Sequence, residues 1–186
     1  EGKVSSVLCK NGKKIKGKLF ISNMDIKIML KLIGEDKFKK SYVKKINSRE
    51  SIISAFSLYL VLKPKTFKYL NKNYYHFRDH KMIWNGQDYT EESWPESYYL
   101  SMGIRKNNEE WGENLTALTY MNYDDVKSWE KTFNTVAEIN ERGQTYNEFK
   151  AEKAEKFLDL IEIKFPNIRK CIQEIYTSTP LSYRDY

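Results

Sequence analysis

Cysteine and histidine are scarce in this sequence, with two residues of each in 186. Cys9 and Cys171 stand near opposite ends of the chain, and neither belongs to a CxxC pair or to a metal-ligand spacing. This usage argues against a disulfide framework and favours a reducing, cytoplasmic compartment. His76 and His80 are four residues apart, but in a strand that spacing separates them by about 13 Å, and no third ligand is evident. We therefore predict no metal site.

Glycine-rich motifs and long apolar runs are also missing. The eight glycines are scattered, and none forms the G-x-G-x-x-G turn that seats a dinucleotide pyrophosphate on a helix N-terminus. No apolar run approaches the roughly 20 residues of a membrane-spanning helix. The longest run, residues 52–62, has the length of a strand and contains serines. The sequence alone thus gives neither a nucleotide fingerprint nor a membrane span.

Aromatic residues, by contrast, are abundant: 14 Tyr, 9 Phe and 4 Trp make up 15% of the chain. Such a composition indicates wide apolar surfaces with polar tips, as in a β-rich core or a cavity for an organic ligand. The net charge of +7 permits contact with nucleic acid, lipid headgroups or phosphate. However, the lysines are spread along the chain among glutamates, without a basic cluster that carries a base-reading motif.

The hydrophobic periodicity predicts strands and helices in alternation. Asn11-Gly12 is a two-residue hairpin turn between a first strand and a half-buried returning strand. A helix is predicted from Ile26 to Ile33, capped by Asn23 or Asp25 and stopped by Gly34, and a second short helix reaches Ile46. Residues 52–62 are predicted to form a central strand covered on both sides.

The second half of the chain continues this alternation. Residues 74–78 are a predicted strand, and two alternating runs, 98–104 and 115–121, are predicted to pair as an antiparallel hairpin. Helices are predicted after Asp124, over 146–161 and over 168–175, with a break at Phe165-Pro166. The predicted fold class is α+β: an antiparallel sheet of about four strands flanked by helices, with an N-terminal β-hairpin.

Three segments, in this order, resemble FAD-dependent oxidoreductases of the phytoene desaturase and retinol saturase group, which are flavin amine-oxidase-like. They are GKVSSVLCKNGKKIKGKLFISNMD (2–25), SAFSLYLVLK (54–63) and FPNIRKCIQEIYTSTPLSYRDY (165–186). The order of these loose motifs carries the resemblance, and together they extend over nearly the whole chain.

The resemblance implies a flavoprotein whose flavin-binding glycine motifs lie outside this sequence. Residues 1–25 would be a remnant of the FAD-binding domain, residues 26–178 the substrate-binding domain, and residues 179–186 the return toward the flavin. The chain would then be an internal fragment that is inactive alone, because most of the FAD is bound elsewhere. In such an enzyme the flavin performs the hydride chemistry, so no catalytic residue is assigned.

The resemblance also suggests site residues. Ser22 and Asn23 would lie near the nucleotide half of FAD, although Asn23 could equally cap a helix. A long apolar, carotenoid- or retinoid-like substrate, to be desaturated, saturated or isomerised, would be bound by burial of surface. The candidate lining residues are Phe56, Tyr59, Tyr98, Leu100 and Met102, each of which could instead be plain core.

A different class of function stays open beside the oxidoreductase. Lysine and tyrosine interleave over residues 63–75, a pattern that could follow a nucleic-acid backbone while bases stack on the rings. A solvated loop whose lysines cover tyrosine surface is the simpler interpretation and makes nucleic acid the less favoured partner. A third possibility is that the positively charged lysines bring the protein into peripheral contact with an anionic membrane. The alternative function is therefore a basic α+β module that binds nucleic acid or an acidic partner.

Overall fold

A computed structural model describes residues 2–49, 53–104, 110–136 and 138–186. The chain divides into two compact units, Glu1–Ser51 and Ile52–Tyr186. The predicted domain limits at residues 25 and 178 rest on the resemblance and stay predictions.

The first unit is a hairpin followed by two short helices. Strands β1 (Ser6–Leu8) and β2 (Lys14–Lys16) pair antiparallel, and helices α1 (Ile26–Ile33) and α2 (Lys40–Asn47) flank a 3-10 turn. The Asp25 carboxylate caps α1 by accepting hydrogen bonds from the backbone N–H groups of Lys27 and Ile28, at 2.9 and 3.0 Å. Gly34, at φ 103°, ends this helix in a conformation that favours glycine.

The returning strand of the hairpin is shorter than predicted. Its pairing ends at Lys16, and the apolar side chains on and after it are exposed, including Ile15, Leu19 and Ile21. The half-buried strand that alternation predicted therefore does not extend to Ile21.

The second unit contains a five-stranded antiparallel sheet in the order β4-β5-β6-β3-β7. The strands are β3 (Ile53–Leu62), β4 (Tyr74–Phe77), β5 (Ser97–Met102), β6 (Asn114–Asn122) and β7 (Ile172–Ser178). The helices are α3 (Met82–Asn85), α4 (Gln144–Lys164), α5 (Ile168–Cys171) and α6 (Pro180–Asp185). The segment after Asp124, predicted as an α-helix, is a 3-10 helix over Tyr123–Trp129.

The 21-residue helix α4 builds the core by covering one face of the sheet. Phe157 on α4 is fully buried, and its ring lies 6.0 Å from that of Tyr98 on β5 and 6.3 Å from that of Trp94. Trp94 in turn meets Phe56 of β3 edge-on at 5.6 Å. These edge and tilted contacts are the geometries that aromatic rings prefer in a packed core.

The predicted fold class is confirmed: α+β, with an antiparallel sheet flanked by helices and an N-terminal hairpin. The predicted pairing of the runs around residues 98–104 and 115–121 is also present, as β5 and β6.

The helix predicted over residues 168–175 was wrong beyond Cys171. Asn167, at φ 68°, precedes a single helical turn, and the chain then runs as β7 antiparallel to β3. Without β7, the edge of β3 would leave a row of backbone hydrogen-bonding groups unpaired, and strand formation satisfies them. The β-branched residues Ile172, Ile175 and Thr177 suit this strand.

Candidate functional site

The two faces of the five-stranded sheet have different surroundings. On β3, the side chains of Phe56, Leu58 and Leu60 are buried toward α4, whereas Tyr59 between them is 39% exposed. Successive side chains of a strand point to opposite faces, so Tyr59 marks the face that α4 does not cover.

The strand register shows which residues share this uncovered face. Tyr75 pairs with Tyr99, Tyr99 with Leu118, and Leu118 with Ser57, which forms one row across four strands. A neighbouring row runs through Thr116, Tyr59 and Tyr176. The tyrosine face, as we call this surface, consists of Tyr59, Tyr75, Phe77, Tyr99, Leu118, Tyr120 and Tyr176.

The centre of the tyrosine face is a shallow cleft between β4, β5 and β6. The cleft has a volume of about 90 Å³, and Tyr75, Phe77, Tyr99, Leu118 and Tyr120 contribute to its lining. Sites that enclose a drug-sized ligand hold roughly 300–1,000 Å³. The cleft is therefore too small to enclose such a ligand by itself.

The segment around α3 bounds one end of the tyrosine face. A Cβ atom placed on Gly86 would lie 2.7 Å from the Tyr120 ring, so the backbone approaches this ring as closely as only glycine permits. Asn122 Nδ2 donates to the carbonyl of Gln87 at 3.4 Å, which holds the same segment to the end of β6. Trp84 on α3 is 84% exposed beside this boundary.

Helix α6 reaches the same face near the middle of β3. The Tyr183 hydroxyl lies 2.7 Å from the Ser57 hydroxyl, and Ser57 is buried. Burial and the neighbouring Tyr59 raise the pKa of Tyr183, so its hydroxyl stays protonated through the neutral range. β3 is thus covered on both faces at Ser57, as predicted, but not at Tyr59.

The structure does not bring the five sequence-predicted lining residues together on one accessible surface. Phe56, Tyr98 and Leu100 are buried on the face that α4 covers, and the half-buried Met102 has the same orientation along β5. Tyr59 alone belongs to the tyrosine face. Their role in substrate binding stays a prediction.

Sequence reasoning overlooked Tyr75, Tyr99 and Tyr120 as lining candidates. The sequence does contain the information needed to find them. Each tyrosine lies in a predicted strand, at a position whose side chain points to the face opposite the neighbouring residue. Choosing between the two faces required knowing which one α4 covers.

Ser22 and Asn23, the predicted cofactor contacts, lie in the exposed loop before α1. Asn23 does not cap this helix, since Asp25 does. Among the described residues, neither side chain has a hydrogen-bond partner. Both polar groups are therefore accessible to an external ligand, which is compatible with a nucleotide contact.

The division into two units exposes a charge asymmetry. Residues 1–51 contain 14 Lys and Arg against five Asp and Glu, a net charge of +9, whereas residues 52–186 contain 18 against 20, a net charge of −2. Lysines occur along the whole chain, as the sequence indicated. The excess positive charge belongs to the first unit.

The basic and aromatic loop of residues 63–75 is largely engaged within the protein. Lys68 pairs with Glu110 at 2.9 Å, Lys63 Nζ donates to the Lys170 carbonyl at 3.0 Å, and Lys72 lies 5.4 Å from the centre of the Tyr74 ring. Lysine stems that cover tyrosine surface match the simpler interpretation of this segment.

Within the described ranges, no group of three or more His, Cys, Asp and Glu is placed to hold a metal ion. His76 lies on β4, stacked on Tyr98 with ring centres 5.0 Å apart, and His80 lies beyond the end of that strand. Both cysteines are free thiols. In the part of the chain that the structure describes, no helix is long and apolar enough to cross a membrane.

Comparisons with protein-family models, with curated proteins and with solved structures found no match to this chain.

Proposed function

We propose that this chain is the substrate-binding side of a FAD-dependent oxidoreductase of the desaturase, saturase or isomerase type, acting on a long apolar, carotenoid- or retinoid-like substrate. The observation that carries the proposal is the tyrosine face. It gives the sheet a broad aromatic surface opposite its packed core, and an extended apolar ligand gains affinity there by burying area.

The shape of this face agrees with a partial site. A cleft of about 90 Å³ leaves most of a long substrate uncovered, and a flavin-binding domain above the sheet would complete its burial. FAD would supply the hydride transfer. The residues of this chain would bind and orient the substrate and exclude water from it.

Ser22 and Asn23 would contact the nucleotide half of FAD in this arrangement. Both are exposed and without an intramolecular hydrogen-bond partner among the described residues, so contact with a ligand would break no existing interaction. The contact would contribute to FAD binding and not to the chemical step.

The experiment is the visible absorption spectrum of the protein purified from its complete reading frame, with this chain measured beside it. The proposal predicts a flavin spectrum for the longer protein and none for this chain, because most of the FAD would be bound by segments outside it. Absence of flavin from the longer protein, even after FAD is added, would refute the proposal.

One observation favours the alternative, a basic module that binds nucleic acid or an acidic partner: the charge of +9 on residues 1–51. Proteins that bind single strands combine a basic groove with stacking rings on one surface. Here the tyrosine face belongs to the other unit, whose net charge is −2. A gel shift across salt concentrations separates the two functions, since tight binding with a steep salt slope would support the alternative.

A further inference from the structure

The first unit combines uncompensated positive charge with exposed aliphatic side chains. The three acidic residues that the structure describes in this unit serve local structure: Asp25 caps α1, Glu35 accepts a hydrogen bond from Asn47 at 3.1 Å, and Asp36 pairs with Lys37 at 2.5 Å. Lys37–Asp36 is the one ion pair that the structure contains within residues 2–49.

Five exposed lysines on or beside α1 and α2 consequently have no acidic partner among the described residues. They are Lys31, Lys39, Lys40, Lys44 and Lys45. The second unit differs, since Arg169 alone contacts Glu155, Asp159 and Glu162. Charge that a protein leaves unpaired in one region is available to an anionic partner.

Helix α1 is apolar on more than its buried side. Leu30 is fully buried, but Ile28 and Leu32, four residues apart and so on one helix face, are 54% and 71% exposed. Lys27 and Lys31 adjoin them in the sequence. The helix therefore presents an exposed aliphatic face in addition to its buried one.

We infer that α1 and α2 form a docking surface for an anionic lipid bilayer. The aliphatic side chains Ile28 and Leu32 would enter the boundary between headgroups and acyl chains, and the lysines of α2 would attract the anionic headgroups. Aliphatic side chains favour a bilayer over nucleic acid, whose phosphate backbone offers them no apolar surface. This inference is independent of the proposed flavoprotein function.

The test is cosedimentation of the purified chain with phosphatidylcholine vesicles that contain about 30% phosphatidylglycerol, beside vesicles of phosphatidylcholine alone. Binding is expected to the anionic vesicles only. The triple variant Lys40→Gln, Lys44→Gln, Lys45→Gln is expected to lower the partition coefficient on the order of 100-fold. Leu32→Ser is expected to lower it about tenfold, through the lost insertion of an aliphatic side chain.

Matched controls lie in the second unit. Lys81→Gln, Lys131→Gln, Lys164→Gln removes the same charge from exposed positions, and Ile163→Ser removes an aliphatic side chain that is also 71% exposed. Both controls should bind anionic vesicles like the unmodified chain. Circular dichroism of each variant should match that of the unmodified chain.

Three results would overturn the inference. The first is absence of binding to anionic vesicles at about 0.1 M salt. The second is an equal loss of binding in the control variants. The third is tighter binding to a nucleic-acid oligonucleotide than to vesicles, with loss of that binding in the Lys40, Lys44, Lys45 variant, which would assign the surface to nucleic acid.

Discussion

The ring centres of Tyr75 and Tyr99 lie 5.1 Å apart on neighbouring strands, with the ring planes tilted by 51°. Tyr75 is 68% exposed and Tyr99 is half-buried. The Tyr99 ring is therefore partly packed against the protein, whereas most of the Tyr75 ring is accessible to solvent. The tyrosine face is thus a defined arrangement of rings on the sheet, with area left to receive a ligand.

Replacing Tyr99 by alanine should lower the free energy of unfolding by about 1–2 kcal/mol, because it removes the contact with Tyr75 and part of the buried ring area. Tyr99→Phe should cost less than about 0.5 kcal/mol, since the ring remains. Urea denaturation measures both. Tyr186→Ala, at a side chain that is 83% exposed, is the control. Equal losses in Tyr99→Ala and Tyr186→Ala would contradict the packing described for Tyr99.

A buried ion pair stabilises the end of the chain. Arg142 donates to Asp185, both side chains are almost fully buried, and Asp185 also accepts from the backbone N–H of Asn134 at 2.8 Å. Removing one partner leaves the other charge buried without compensation. Asp185→Asn should therefore lower the free energy of unfolding by about 3 kcal/mol at neutral pH, as measured by urea denaturation.

The same variant should show a defined pH dependence. Burial acts to raise the pKa of Asp185, but hydrogen bonds from Asn134, Arg142 and Arg184 outweigh it and hold the pKa below its usual value of 3.8. The carboxylate therefore stabilises the fold above pH 3.8, and this stabilisation is lost as the pH falls through the lowered pKa. The difference between the two proteins should shrink over that acidic range. A constant difference would contradict the assignment.

Lys153 is a residue of α4, and its side chain is buried in the core. Its ammonium is 2.6 Å from a carboxylate oxygen of Glu91 and 4.8 Å from the centre of the Trp94 ring, and its side chain is 2% exposed. Methionine has a similar shape and no charge to desolvate, so Lys153→Met should be neutral or stabilising. Glu91→Gln should cost about 2 kcal/mol, because it leaves the buried Lys153 ammonium without its carboxylate partner, while the 61% exposure of Glu91 lets solvent screen part of the attraction.

Thermal and urea unfolding measure the stability of both variants, and Lys156→Met is the control. Lys156 contacts the same carboxylate at 3.3 Å but is 37% exposed, so its loss should matter little. A loss of more than about 2 kcal/mol in Lys153→Met would show that the ammonium itself is required.

His76 should titrate below its ordinary value of 6.5, because partial burial against Tyr98 and the positive charge of Arg78 both lower its pKa. Since the unfolded chain binds this proton more readily, stability should decrease as the pH falls from 6.5 through the lowered pKa. NMR titration of the ring resonances measures the pKa directly. Arg78→Gln should raise it partway, and a pKa at or above 6.5 in the unmodified protein would contradict the structure.

Alternation correctly predicted β5 and β6, and a continuous apolar run predicted β3, but the alternation that continues to Ile21 predicted a longer β2 than the structure contains. The prediction failed at β7 because Ile168, Cys171, Ile172 and Ile175 fit a helical stripe, and only the unpaired edge of β3 decides that Ile172–Ser178 becomes a strand. The choice between helix and strand for this segment depends on tertiary contacts with β3, so the local hydrophobic periodicity does not reveal it.

The candidate site shows the same limit. Tyr98 and Tyr99 are adjacent and chemically identical, yet one is buried against Phe157 and the other faces the cleft. Assigning each to a face requires the position of α4. The charge asymmetry, however, could have been found by counting charges on either side of residue 51, had the boundary been recognised.

The most direct test of the tyrosine face as a substrate surface is a fluorescence titration of the protein with all-trans-retinol, a long apolar polyene. Our account predicts saturable binding that is weakened about tenfold or more by the double substitution Tyr99→Ser, Leu118→Ser, which removes apolar area from the cleft. Substituting Tyr186, which lies outside the face, should leave binding unchanged. Saturable binding that the double substitution does not alter, or no saturable binding, would contradict the account.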